Sequence, residues 1–94
     1  MGERSYPVGG DLDYEAAGAL RSALLALVNG TSDDVVLDCE HLVFIDSIGV
    51  AVISQIRRLL AVHDRRLRIV NVSPQARRPF ELLGLVHYLE IGET

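Results

Sequence analysis

The chain is 94 residues long, room for one compact core and too short for two domains. With 49% hydrophobic and 23% charged residues it reads as globular, and its longest apolar runs fall far short of the roughly 20 residues that cross a bilayer, so a cytoplasmic protein without membrane insertion is expected. The net charge of −4 is uneven, nine acids against two arginines in residues 1–46 and four acids against seven arginines in 47–94; all nine basic residues are Arg, which excludes a Walker A loop, a Schiff-base enzyme and a lysine general base.

In chain order, "RSYPV" is a short extended stretch that Pro7 confines to a sheet edge. "GGDLD" reads as a turn, and its "DLD" does not close an apolar strand as an aspartyl-phosphate motif would. Ala16, Ala17, Leu20, Ala23, Leu24, Leu27 and Val28 recur at helical spacing and predict a one-sided helix over 14–28, ended by the breakers of "NGTSDD". "VVLDC" is a β-branched buried strand that carries the lone Cys39, which has no partner for an internal disulfide and reads as a buried thiol. "EHL" turns the chain into "VFI".

A second helix is predicted from Ser47 to about His63. Ile48, Val52, Ile53, Ile56, Leu59 and Leu60 fall on its core side, and Ser47, Val50, Ala51, Ser54, Arg58 and Ala61 on the other. That second face is small and apolar near Ser47 where a solvated helix carries charge, so Val50, Ala51, Ser54 and Arg58 are candidate partner-binding residues. "LRIVNV" is a further strand. Ser73 and Pro74 open a third helix as N-cap and first-turn proline, running toward Gly84 with a kink or break at Pro79, and "VHYLEI" closes the chain as a strand or short helix. Helices alternating with strands imply an α/β fold with at least one parallel pairing. Leu20, Leu24, Leu37, Ile45, Val52, Ile56 and Ile69 are the expected core. His41, His63 and His87 are too scattered for a metal site, and only five aromatic residues accompany the arginines, which argues against direct nucleic-acid contact.

The junction "VFIDSIGVAVI" places an acid and a hydroxyl where a strand becomes a helix. Either Asp46 or Ser47 can cap that helix, which accounts for one of the two residues but not both. A phosphate on the hydroxyl would face free amides and the positive end of the helix dipole, and about two added negative charges beside a small apolar face would penalise a partner that buries it.

"GDLDYEAAGALRSALLALV", "VVLDCEHLVFIDSIGVAVI" and "LRIVNVSPQARRPFELLGL" resemble, in order, the successive blocks of the STAS domain, the family of bacterial anti-sigma factor antagonists. The resemblance covers about residues 9–89. It implies one domain over 1–94 with a mixed sheet of about four strands and helices packed mainly on one side. It also implies a non-enzymatic phosphoprotein without cofactor or metal that regulates transcription by partner switching. Unphosphorylated, such a protein binds an anti-sigma factor with serine-kinase activity and releases the sigma factor; phosphorylation breaks that binding and a serine phosphatase restores it. By position, Ser47 is the implied phosphoacceptor, with Asp46 and Gly49 completing its motif and Asp13 close by. Ile48 stands where the family has a second hydroxyl residue. Only about eight residues precede Gly9 where the family spends a full strand or more, so the first strand is expected to be shortened or missing, leaving an edge open to a partner or to a homodimer. The alternative reading is a STAS subunit or domain that regulates a membrane transporter's ATPase without phosphorylation.

Overall fold

Five short strands alternate with three helices in the computed structural model, which describes residues 2–92. Strand β1 spans Glu3–Pro7, β2 Gly10–Leu12, helix α1 Tyr14–Gly30, β3 Asp34–Asp38, β4 Leu42–Ile45, α2 Ser47–Ala61, β5 Leu67–Val70 and α3 Pro74–Leu82. The apolar run Val35–Leu37 puts β3 at the centre of a three-stranded sheet of order β1-β3-β5, while β2 and β4 form a second pair. All these ladders are parallel, and parallel neighbours need long crossovers, which α1 and α2 supply. Only Val8 and Gly9 separate β1 from β2, and the Val8 N–H donates to the Asp38 carbonyl, so the two sheets follow one another along a bent pair of chain segments.

This architecture is the expected α/β domain, although its described ladders are all parallel where a mixed sheet is expected, and other details change. "GGDLD" contains a strand rather than a turn, the sheet strands number five rather than about four, and β1 is present as a five-residue strand rather than clipped. Pro79 lies inside α3, which ends at Leu83 and Gly84, the latter at φ 69° where a Cβ would be strained. "VHYLEI" forms turns and a single bridge, Ile91 to Ile69, instead of a strand or helix. Arg57 fixes this tail, donating to the Tyr88 carbonyl at 2.8 Å with its guanidinium 4.1 Å from the Tyr88 ring centre.

Leu20, Leu24, Leu37, Ile45, Val52, Ile56 and Ile69 are all buried, with Phe80, Leu60 and Leu89 completing the core. Alternation along β3 and β5 turns Leu37 and Ile69 toward the helices and Val36 and Arg68 away, so the helices cover one face. The other face carries charge: Arg68 forks onto Glu3, at 2.8 Å in its shortest bond, and Arg66 pairs with Glu90. Arg65 ties the end of α1 to β3, donating to the carbonyls of Val28 and Asp33 at 3.0 and 2.9 Å.

Truncating the central strand tests this packing: Leu37→Ala should cost about 2–5 kcal/mol in urea unfolding. The Arg66 guanidinium holds the Glu90 carboxyl below its ordinary 4.5, so the stabilisation from this carboxylate is present above that value and is lost as pH falls through the lowered folded value. Arg66→Gln should therefore lose less stability than the wild type as the pH falls from about 5 to about 3, followed by denaturant midpoint.

Candidate functional site

The pairing of β2 with β4 sets Leu12 opposite Ile45, and the Asp46 N–H donates to the Leu12 carbonyl at 3.4 Å. Both strands therefore end at the same sheet edge, one residue before a helix. Asp13 and Asp46 occupy those two exits in extended conformation, and each caps the helix that follows. The Asp13 carboxylate accepts from the Ala16 N–H at 3.0 Å, and one Asp46 oxygen accepts from both the Ile48 and the Gly49 N–H at 3.0 Å each. The two helices start side by side, each with a carboxylate at its positive end.

That division of labour resolves the acid-hydroxyl junction. Asp46 is the cap, which leaves Ser47, the first residue of α2, exposed and free of capping duty. Gly49 serves packing: a Cβ there would sit 2.8 Å from the Ile45 Cγ1 and 3.0 Å from the Leu12 Cδ2. The bare backbone lets the first turn of α2 rest on the ends of β2 and β4. A phosphate on Ser47 would find the Ile48 and Gly49 amides already taken by Asp46. Its charge would stand beside an existing carboxylate at an exposed position.

Along α2, Ala51 and Arg58 are exposed and Ser54 half-buried, on the side expected. Val50 is not: it is 1% exposed and belongs to the core. Ile48 and Leu59, expected inside, emerge at 42% and 38%. The reason is that α2 packs against α1 as well as the sheet, with Arg21 Nε donating to Gln55 Oε1 at 3.1 Å across the pair, so the buried arc is turned from the one that periodicity alone suggests. The outward face therefore begins with Ser47 and Ile48 and continues through Ala51 to Arg58.

Two further features were hidden in the sequence. The β2–β4 register slips so that Gly10 pairs with Leu42 but Asp11 with Phe44, making Val43 an extra residue in β4. The bulge breaks alternation, so Val43 and Phe44 are both exposed and line a groove of about 220 Å³ with Pro79, Leu82 and Arg78 of α3. Tyr14, 74% exposed at the start of α1, stands next to Asp13 at the same sheet edge as Ser47. A continuous apolar run conceals the first feature, and a helical pattern with its stripe elsewhere gives no hint of the second.

Cys39 is fully buried, and burial, with Asp38 adding to it, pushes its thiol up to about 12, so it stays an unreactive thiol. Among the described residues no three His, Cys, Asp or Glu side chains gather as metal ligands, and no helix is long and apolar enough to cross a membrane.

The STAS domain family matches residues 3–94. An anti-sigma-B factor antagonist of Staphylococcus aureus strain NCTC 8325 is 28% identical over 86 residues, covering 92% of this chain and 80% of that protein. An anti-sigma F factor antagonist of Lysinibacillus sphaericus is 36% identical over 78 residues, covering 81% of this chain and 66% of the relative. The anti-sigma factor antagonist SpoIIAA, solved in its unphosphorylated form, superposes with a TM-score of 0.81 at 26% identity, over 98% of this chain and 81% of that one.

The roles of the three junction residues separate by substitution. Asp46→Ala should cost about 0.5–2 kcal/mol through the lost cap. Gly49→Ala should cost about 1–3 kcal/mol through overpacking against Ile45 and Leu12. Ser47→Ala should stay within about 0.5 kcal/mol of the wild type in the same urea titrations.

Proposed function

This chain belongs to the STAS domain family, and on that premise we propose that it is an anti-sigma factor antagonist, a binding module rather than an enzyme. Its partner in this reading is an anti-sigma factor that is also an ATP-dependent serine kinase. Binding sequesters that factor and frees the sigma factor. The kinase then transfers the γ-phosphoryl of ATP to the Ser47 Oγ, forming the Oγ–P bond as the bond to ADP breaks and the hydroxyl proton leaves. A serine phosphatase hydrolyses the phosphoserine and resets the module.

The observation that carries this reading is the freedom of Ser47. Asp46 alone satisfies the Ile48 and Gly49 amides, and the serine is exposed at the head of a face made of Ile48, Ala51, Ser54 and Arg58. A partner that buries this face desolvates apolar surface at Ile48 and Ala51. After phosphorylation it must instead desolvate about two extra charges that Asp46 repels and that the Ile48 and Gly49 amides, already bonded to Asp46, do not absorb. The absence of a second hydroxyl at Ile48 leaves Ser47 as the one acceptor in the motif.

Isothermal titration against the serine-kinase anti-sigma factor encoded in the same genome tests the switch. Ser47→Ala should bind as the wild type does, Ser47→Asp at least about tenfold more weakly, a difference of about 1.4 kcal/mol. Incubation with ATP should add one phosphate to the wild type and none to Ser47→Ala, read by intact mass. Equal affinity for all three forms would defeat the switch, and equal binding of all three to a transporter ATPase would put the transport reading in its place.

A further inference from the structure

We propose that the outer edge of β1 pairs, antiparallel and about a two-fold axis through Ser5, with β1 of a second copy of this chain. The inference is independent of the switch at Ser47, which opens α2 after β4.

In the three-stranded order, β1 has β3 on one side and no strand among the described residues on the other. The Asp34 N–H donates to the Gly2 carbonyl and the Val8 N–H to the Asp38 carbonyl, so the even-numbered peptide groups of this strand face β3. Those of Glu3, Ser5 and Pro7 therefore face outward, by the alternation of a parallel ladder. Pro7 falls on that outward set, where its missing N–H costs β1 no bond to β3. An edge of this kind presents backbone donors and acceptors that a further strand satisfies.

Charge and proline select the register in which a second copy fits this edge. A two-fold axis at Glu3 or Arg4 sets like charges directly opposite, which is destabilising. An axis at Tyr6 or Pro7 brings the missing N–H of Pro7 into the innermost bonds. An axis at Ser5 avoids both: the two Ser5 residues exchange N–H···O bonds, and each Glu3 N–H reaches the opposite Pro7 carbonyl. Arg4 then lies opposite the second copy's Tyr6 in both halves, on the helix side, because Arg4 pairs with Val35 and Tyr6 with Leu37 in the β3 ladder. Cation and ring so placed attract one another. A groove of about 220 Å³ lined by Tyr6, Val8, Leu12, Ala16 and Ala19 runs beside this edge, and the added strand roofs it.

Sedimentation velocity between about 1 μM and 1 mM, a range spanning weak to moderate affinities, should move the chain from its 10.3 kDa mass toward twice that value. Ser5→Pro, which removes the outward N–H, should stay at 10.3 kDa across the same range with unchanged circular dichroism. If that variant does not fold, cysteine cross-linking decides: directly opposed residues in an antiparallel pair lie about 5.5 Å apart, within disulfide range. Under oxidised glutathione Ser5→Cys should form a covalent dimer and Glu3→Cys should not, with buried Cys39 silent in both. A wild type that remains a monomer throughout overturns the proposal, as do equal cross-linking of the two cysteine variants and a dimer that survives Ser5→Pro, each of which places any partner of this edge or any self-association elsewhere.

Discussion

The close approach of Gly49 to Ile45 and Leu12 is the contact on which the rest of the site depends. Without a side chain at Gly49, α2 begins directly on top of the paired ends of β2 and β4, near enough for Asp46 to turn back and hold two amides at 3.0 Å. That hold fixes the direction of α2, and the direction decides that Ser47 points out while Val50 points in. A larger residue would lift the first turn, loosen the cap and blur the distinction between an exposed hydroxyl and a capping one.

The same arrangement sets the electrostatics. Helix N-termini attract anions, and a chain with two of them side by side at one sheet edge has a strong site for negative charge. Asp13 and Asp46 already occupy both. Each helix end thus already carries a carboxylate of its own, bonded to the Ala16 amide in one and to the Ile48 and Gly49 amides in the other. In this arrangement the caps do more than stabilise helices, since they place two carboxylates at the sheet edge that also carries the exposed Ser47.

Much of this was legible in the sequence because it rests on local signals. Asp46 and Ser47 before a helical stripe, Ser73-Pro74 at the third helix and the β-branched "VVL" each act within a few residues, and each appears where expected. The failures are tertiary. Placing Val50 outside and Ile48 and Leu59 inside follows from assuming that α2 has one buried side, whereas it packs against α1 and α3 as well as the sheet. The strand within "GGDLD" is held by pairing to β4 and has no propensity of its own, with two glycines and an aspartate around it. The bulge at Val43 is a mismatch between two strands and leaves no mark on either alone.

The all-parallel ladders carry a consequence for how the chain acquires its shape. Among the described residues no two neighbouring strands are joined by a tight hairpin; Glu3 pairs with Asp34, and Val35 with Leu67, across an intervening helix. Contacts so distant in sequence must overcome loop-closure entropy before they return any stabilisation, which slows folding relative to helical or hairpin-rich domains of equal size. On a ribosome, β1 emerges before β3 and cannot pair with it until β3 has been made. The residues of β1 therefore wait for their hydrogen bonds to β3, and α1, with its own cap at Asp13, is the element able to form while they wait.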